Sequence, residues 1–364
     1  MQGERYVGLM SGTSIDGVDA VLADFSMSPW RVMAHAHVMF APELRSSLSG
    51  LQASDADELH RASLAANALM DHCATAVSAV LAAAGIASYD IAAIGLHGQT
   101  VRHRPDLGYT LQLANPARLA EAIGATVVAD FRSRDVAAGG QGAPLAPAFH
   151  AALFGAVDRH RVIVNIGGIA NISDLPPQGS VRGFDSGPGN TLLDVWCEHK
   201  MGKTYDRDGA WAAGGKIITA LLESLRAEPY FGAMPPKSTG RDRFNLAWLR
   251  RHLKSSYAAV DVQRTLSSLT AQTIAAAVSE HCAGTTEVLV CGGGARNTTL
   301  MNELTEALAP RRVETTAAHG LPIDQIEALA FAWLARETLA GRPGNLASVT
   351  GAKGPRVLGA IYPA

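Results

Sequence analysis

The stretch Val162-Ile163-Val164-Asn165-Ile166-Gly167-Gly168-Ile169-Ala170-Asn171 decides the fold. Val162 to Ile166 is rich in β-branched residues, which suit a pleated strand. Gly167 and Gly168 permit an abrupt turn, and Ile169 to Ser173 resumes an apolar run. The beginning of the chain has the same plan. Arg5 to Met10 reads as a strand, Ser11-Gly12-Thr13-Ser14-Ile15-Asp16-Gly17 as a turn, and Val18 to Phe25 as a returning strand. Identity between the two stretches is slight, so the likeness is one of topology. It predicts two similar lobes with a ligand cleft between them.

Outward from these turns, strands alternate with helices. Trp30 to Phe40, Ile91 to Leu96, Thr110 to Leu113 and Ala125 to Phe131 read as strands of the first block. Glu43 to Gln52 and Asp55 to Ala84 read as helices, the second stopping near Gly85. Asn115 followed by Pro116 is a helix start, with Asn as the cap and Pro at the first helical position. In the second block, Thr191 to His199, Gly215 to Leu225, Val260 to His281, Asn302 to Leu308 and Asp324 to Leu339 read as helices. Glu287 to Cys291 is a buried strand running into Gly292-Gly293-Gly294, and Val357 to Ile361 is strand-like. The class is α/β.

Composition narrows the function. The chain has 364 residues, which suggests two domains, and 31 basic against 33 acidic side chains give a net charge of -2. That balance argues against general nucleic-acid binding. The four cysteines (Cys73, Cys197, Cys282, Cys291) lack metal or disulfide spacing, so a reducing cytoplasm is expected. Met1 to Met10 carries Glu4 and Arg5 and no long apolar run, so no secretory leader is expected. The small apolar stretch Ala79 to Ala87 is shorter than a membrane span requires.

Four segments carry chemistry. Gly12, Thr13, Ser14, Asp16, Gly17 and Asp19 place glycines, hydroxyls and carboxylates in one turn. Backbone N–H groups there can approach phosphate oxygens, and Asp16 or Asp19 can hold Mg²⁺. An ordinary hairpin turn would contain the same residues. Asn165, Gly167, Gly168 and Asn171 repeat the device. Gly183-Phe184-Asp185-Ser186-Gly187-Pro188-Gly189-Asn190-Thr191 feeds a helix N-terminus, a setting that favours anions. Asp185 would repel an anion there unless it accepts a proton from a nucleophile. Gly292, Gly293 and Gly294 leave a flat backbone surface against which a purine could lie. Polar clusters at His97 to Arg104, Asp130 to Asp135, Tyr205 to Gly209, Lys237 to Asp242 and Asp324 to Glu327 suit a ligand bearing hydroxyls and amides. No P-loop, G-x-S-x-G or H-E-x-x-H motif is present.

These strings, taken together from Val7 to about Ala330, resemble the anhydro-N-acetylmuramic acid kinase family of the actin, Hsp70 and sugar-kinase superfamily. The resemblance implies two actin-like, ribonuclease H-like lobes, expected over residues 1–130 with about 340–364 and over 131–339. It implies ATP and Mg²⁺, and a reaction that takes 1,6-anhydro-N-acetylmuramic acid, ATP and water to N-acetylmuramic acid 6-phosphate and ADP in cell-wall recycling. It makes Gly12 to Asp19 and Asn165 to Asn171 the phosphate loops, Gly292 to Gly294 the adenosine side and Asp185 the catalytic carboxylate. Arg132 and Glu327 match the sugar side, with His97 and Gln99 beside them. The expected partner is this small amino sugar, with no nucleic acid and no membrane, and a homodimer stays open. The rivals are another sugar kinase of the superfamily, a non-catalytic ATP-dependent binding module, and a hydrolase with paired carboxylates that needs no ATP.

Overall fold

The computed structural model describes residues 4–12 and 14–364. The chain divides into two units, one of residues 1–153 with 325–364 and one of residues 154–324. The first unit holds β1 (Arg5–Met10), β2 (Gly17–Asp24), β3 (Arg31–Met39), α1 (Pro42–Gly50), α2 (Glu58–Ala84), β4 (Ala93–Leu96), β5 (Gln99–Arg104), β6 (Tyr109–Leu113), α3 (Pro116–Ile123), β7 (Val127–Ala129), α4 (Ser133–Ala137) and α5 (Ala146–Phe154). The second unit holds β8 (Arg161–Ile166), β9 (Ile169–Leu175), β10 (Arg182–Pro188), α6 (Thr191–Met201), α7 (Ala210–Ala213), α8 (Thr219–Arg226), α9 (Leu246–Arg250), α10 (Ala259–His281), β11 (Glu287–Cys291), α11 (Thr298–Leu308) and β12 (Arg312–Thr315). The chain then returns to the first unit with α12 (Ile326–Leu339), α13 (Ala347–Thr350) and β13 (Ala360–Tyr362).

Both units use one strand order. In the first sheet the order is β13-β7-β4-β1-β2-β3, and in the second β10-β9-β8-β11-β12. In each, three strands form an antiparallel meander, and two further strands then run parallel to the first of the three. This is the actin-like lobe, and the topological repeat expected from the two glycine turns is present. The parallel strands β4 and β11 are buried along their whole length, which is why Ile94 to Leu96 and Val288 to Val290 read as unbroken apolar runs.

The lobe boundaries differ from those expected. Residues 131–153 and 325–339 belong to the first unit. For residues 325–339 the reason is α12, which packs on β1, β4 and β2. Gly8 and Gly95 lie in the middle of apolar strands and let it approach. A Cβ on Gly8 would overlap Ala328 O and stand 2.6 Å from Ala332 N, and one on Gly95 would overlap Phe331 O. Only glycine admits a helix backbone this close to a sheet.

Each unit has its own core. Val7, Leu9, Leu69, Ile94 and Val127 anchor the first, and Val162, Val164, Ile274, Val288 and Leu300 the second. Burying each such side chain contributes roughly 1.5–3 kcal/mol. A further cluster in the second unit gathers Trp196, Phe244, Trp248 and Leu266. By length and composition α2 is long and apolar enough to cross a bilayer, contrary to the shorter stretch read from the sequence. Half of its most apolar window is buried, and Leu69, Met70, Cys73 and Val77 join the first core. It is a core helix.

Candidate active site

Asp185 lies on β10, opposite Asn171 on β9, where a bulge between Asp185 and Gly187 shifts the register. The sequence analysis read no strand over this segment, which glycine and proline crowd; pairing with β9 overrides that local preference. Its carboxylate is only 8% exposed and both oxygens accept hydrogen bonds. Asn171 Nδ2 donates to Oδ1. Ser238 Oγ and the Thr239 N–H donate to Oδ2 at 3.1 and 3.0 Å. The backbone is held as well, with Asp185 N donating to Lys237 O at 3.0 Å and Tyr230 Oη donating to Asp185 O at 3.0 Å. Burial pushes the Asp185 pKa up, and the Thr239 N–H, Asn171 amide, Ser238 hydroxyl and Lys237 charge pull part of the way back. The outcome is a fixed carboxylate that holds its negative charge less readily than one in water. Of the Lys237 to Asp242 cluster, Lys237, Ser238 and Thr239 strap this carboxylate.

The helix N-terminus after Asp185 differs from expectation. The N–H groups of Gly189, Asn190 and Thr191 donate to Gly168 O, Gly167 O and Gly168 O at 2.9, 2.8 and 3.0 Å. Asn190 sits at the cap position of α6, but its side chain donates to Ile166 O instead of capping. Thr270 Oγ1 on α10 donates to Gly189 O at 2.9 Å and pins the turn. These three backbone donors are therefore spent on the Gly167–Gly168 turn and do not face an anion.

Two of the expected nucleotide segments emerge together. Asn165 pairs with Asn171 across the turn on one side and with Cys291 on the other. Gly292 to Gly294 therefore begin beside the Asn165–Asn171 turn, at the carboxyl ends of the parallel strands, where ligands of open α/β sheets bind. Gly292 N donates to Ile323 O, and Asn297 caps α11 by accepting from Leu300 N. Asp194 on α6 was not singled out from the sequence. Burial pushes its pKa up to about 7, Arg241 opposing and Asp206 adding to the rise. Its approach to Asp206 and Arg241 is tertiary, so no local spacing shows it.

The remaining candidates lie in the first unit. Thr13 falls outside the described residues. Ser14 Oγ donates to Asp16 Oδ1 at 2.7 Å, and Ile15 N donates to Gly12 O at 3.3 Å. Ile15 has φ +53, a left-handed conformation that costs a β-branched residue energy and keeps the turn tight. Gly17 opens β2. Asp19 Oδ1 lies 3.1 Å from His35 Nε2 and 3.0 Å from His37 Nδ1. Asp16 offers a hard, exposed carboxylate that fits Mg²⁺, whereas the imidazoles already occupy one oxygen of Asp19.

His97 and Gln99 brace the first turn. Ser11 Oγ donates to Gln99 Oε1, and Gln99 Nε2 donates to Gly12 O at 3.2 Å. Burial, then Arg132, pulls the His97 pKa down to about 3, so the ring is neutral. Arg132 Nη2 lies 3.0 Å from His97 Nε2, which must accept. The proton then sits on Nδ1, 3.3 Å from Ser11 O. Arg132 Nη1 also donates to Gly142 O at 2.8 Å. Burial pulls the Arg132 pKa down to about 10, against the nearby charges of Glu327 and Asp135. Glu327 stands in the first turn of α12, and Phe331 on that helix packs against the His97 ring, centroids 4.7 Å apart. Packing of α12 thus brings Glu327 toward His97 and Arg132, some two hundred residues earlier in the chain. Beneath Arg132, fully buried Asp135 accepts from Gly142 N, Asn345 Nδ2 and Thr350 Oγ1 at 2.7, 2.6 and 2.7 Å. The sequence grouped Asp135 with Arg132 without separating their roles; Asp135 fixes the loop on which Arg132 leans.

Comparison with known proteins gives the family. A family model described as anhydro-N-acetylmuramic acid kinase matches residues 4–364. The chain is 56% identical over 371 residues to the anhydro-N-acetylmuramic acid kinase of Cupriavidus pinatubonensis, covering 100% of this chain and 99% of that protein. It is 52% identical over 366 residues to that of Nitrosospira multiformis, covering 100% of both. The chain belongs to the anhydro-N-acetylmuramic acid kinase family.

Proposed function

We propose that the protein is the kinase that uses ATP and water to open 1,6-anhydro-N-acetylmuramic acid and phosphorylate O6, in recycling of cell-wall sugars. The observation that carries this reading is Asp185, a buried carboxylate held by three donors, in a chain that matches the family nearly end to end. Asp185 accepts a proton from water as the water oxygen bonds to C1 of the sugar. The C1–O6 bond breaks, and O6 forms a bond to the γ-phosphorus as the bond to ADP breaks. Asp185 later returns its proton to solvent. Gly12 to Asp19 and Asn165 to Asn171 receive the phosphates, and Gly292 to Gly294 the adenosine. Asp16 is the residue that would hold Mg²⁺, which when bound neutralises phosphate charge. His97, Gln99, Arg132 and Glu327 receive the sugar. The chemistry requires that both sets of groups reach the same pair of substrates. The four free, buried cysteines suit the cytoplasm, where we place the enzyme.

The test uses water labelled with heavy oxygen. Phosphorylated product from the anhydro sugar and ATP should carry the label at C1. Unlabelled product would indicate an ordinary sugar kinase, ATP turnover that ignores the sugar a binding module, and opening without ATP a hydrolase. Arg132 suits the lactyl carboxylate of this sugar, because a guanidinium pairs a carboxylate through two N–H groups. Arg132→Ala should raise the sugar KM about 10- to 100-fold and leave that for ATP near normal, in steady-state kinetics. An equal rise for ATP would mean that Arg132 acts through His97 on the first phosphate turn.

A further inference from the structure

Two polar groups converge on one side of Gly168 without hydrogen-bond partners, although the Arg241 charge acts on Asp194. Thr191, the first residue of α6, is 7% exposed, and its Oγ1 makes no hydrogen bond. The Arg241 guanidinium enters no hydrogen bond or ion pair with another described residue. A Cβ on Gly168 would stand 2.9 Å from Thr191 Oγ1 and 3.2 Å from both Nε and Nη2 of Arg241. The Nε–Nη2 edge of a guanidinium is one of its two-pronged donor edges, matched to phosphate or carboxylate oxygens. The backbone N–H groups of Gly189, Asn190 and Thr191 are already spent on the turn carbonyls. These three groups therefore add nothing to anion binding here, and the two side chains are the donors that remain.

We propose that Arg241 and Thr191 form a site for the phosphoryl group that ATP transfers, with Arg241 a catalytic residue. This rests on the function proposed above and extends it. Arg241 follows, by two residues, the Thr239 whose N–H holds Asp185 Oδ2 at 3.0 Å. One short segment therefore fixes the carboxylate that activates water and presents the cation that meets the phosphate. As O6 bonds to the γ-phosphorus and the bond to ADP breaks, charge spreads over the non-bridging oxygens, and the exposed Arg241 guanidinium stabilises it on meeting the phosphate. A phosphoryl group is favoured over the sugar carboxylate because Gly168 belongs to the turn beside Gly292 to Gly294, and because Arg132 is placed to take the carboxylate.

Binding of a non-hydrolysable ATP analogue, of ADP and of the sugar is measured separately by calorimetry, and turnover is measured alongside. Arg241→Ala should weaken the ATP analogue at least about tenfold more than ADP and lower kcat by about 10²–10³-fold. Arg241→Lys should recover part of the rate, and guanidinium ion at a non-denaturing concentration should recover part of it in the Ala variant but none in Asp185→Asn. Thr191→Val should shift the same affinity ratio in the same direction by less. Equal weakening of the ATP analogue and ADP, weakening of the sugar alone, or unchanged kcat with no guanidinium rescue would each overturn the assignment. The nucleotide comparison needs no sugar, so it stands or falls separately from the substrate assignment.

Discussion

Asp185→Asn should lower kcat by about 10²–10⁴-fold while the sugar and the nucleotide still bind. The substitution keeps the shape of the side chain. Its amide oxygen can accept from Ser238 Oγ and the Thr239 N–H as the carboxylate Oδ2 does. Its amide nitrogen would face Asn171 Nδ2, and rotation of the Asn171 amide turns that clash into a hydrogen bond. What is lost is a group that can take a proton from water. The wild-type rate should rise with pH through the Asp185 ionisation, which burial places above the ordinary carboxylate value of 3.8. The Asn variant should lack that acid limb. The sign for stability is opposite. A carboxylate with a raised folded-state pKa favours the folded state less once pH exceeds its unfolded value, and the loss is complete above the folded value. Asp185→Asn lacks this ionisation, so its melting temperature should fall less between acid and neutral pH than that of the wild type. Loss of sugar or ATP binding with unchanged turnover of the bound complex would make Asp185 a positioning residue.

Gly8→Ala should destabilise the first unit by about 3 kcal/mol or more, the upper end for overpacking. The added methyl would overlap the backbone oxygen of Ala328 and stand 2.6 Å from Ala332 N, and neither can rotate away as a side chain can. Either α12 lifts from β1 or the sheet bends. With the first unit unfolding on its own, a length within about 150–250 residues, the melting temperature of its transition should fall by about 6–12 °C. Gly12→Ala is the stability control, because the nearest atom to its new Cβ is Ser14 Oγ at 3.7 Å. Since α12 carries Glu327 and Phe331, the Gly8 variant should also bind sugar more weakly than the wild type. A Gly8→Ala protein as stable as the wild type would mean that the helix and sheet are not held this closely in solution.

Local signals in the sequence located much of the fold. Arg5–Met10 and Glu287–Cys291 are strands with the expected limits, and α2 ends where Gly85 adopts φ +66. Asn115 caps α3 by accepting from Arg118 N, with Pro116 in the first turn. The misses are elements whose identity depends on distant partners. Arg182–Pro188 becomes a strand only because β9 accepts it, and Gln99–Arg104 only because β6 lies alongside. The helix α12 was visible, but its allegiance to the first unit was not. The signal lay in Gly8 and Gly95, which interrupt apolar strands and mark a close backbone approach. At the site, motif positions were legible, whereas the strapping of Asp185 by Ser238 and Thr239 and the bracing of Ser11 and Gly12 by His97 and Gln99 are matters of packing.

The interrupted first unit also sets an order of events during synthesis. Residues 154–324 are continuous, so the second unit has its whole sheet available before α12 is translated. The first unit has β1 to β7 early, but the helix that covers β1 and β4 and the strand that pairs with β7 come last. On the ribosome the N-terminal half waits with one face of its sheet uncovered while the later half folds, and this nascent stage is where aggregation or chaperone capture would concentrate.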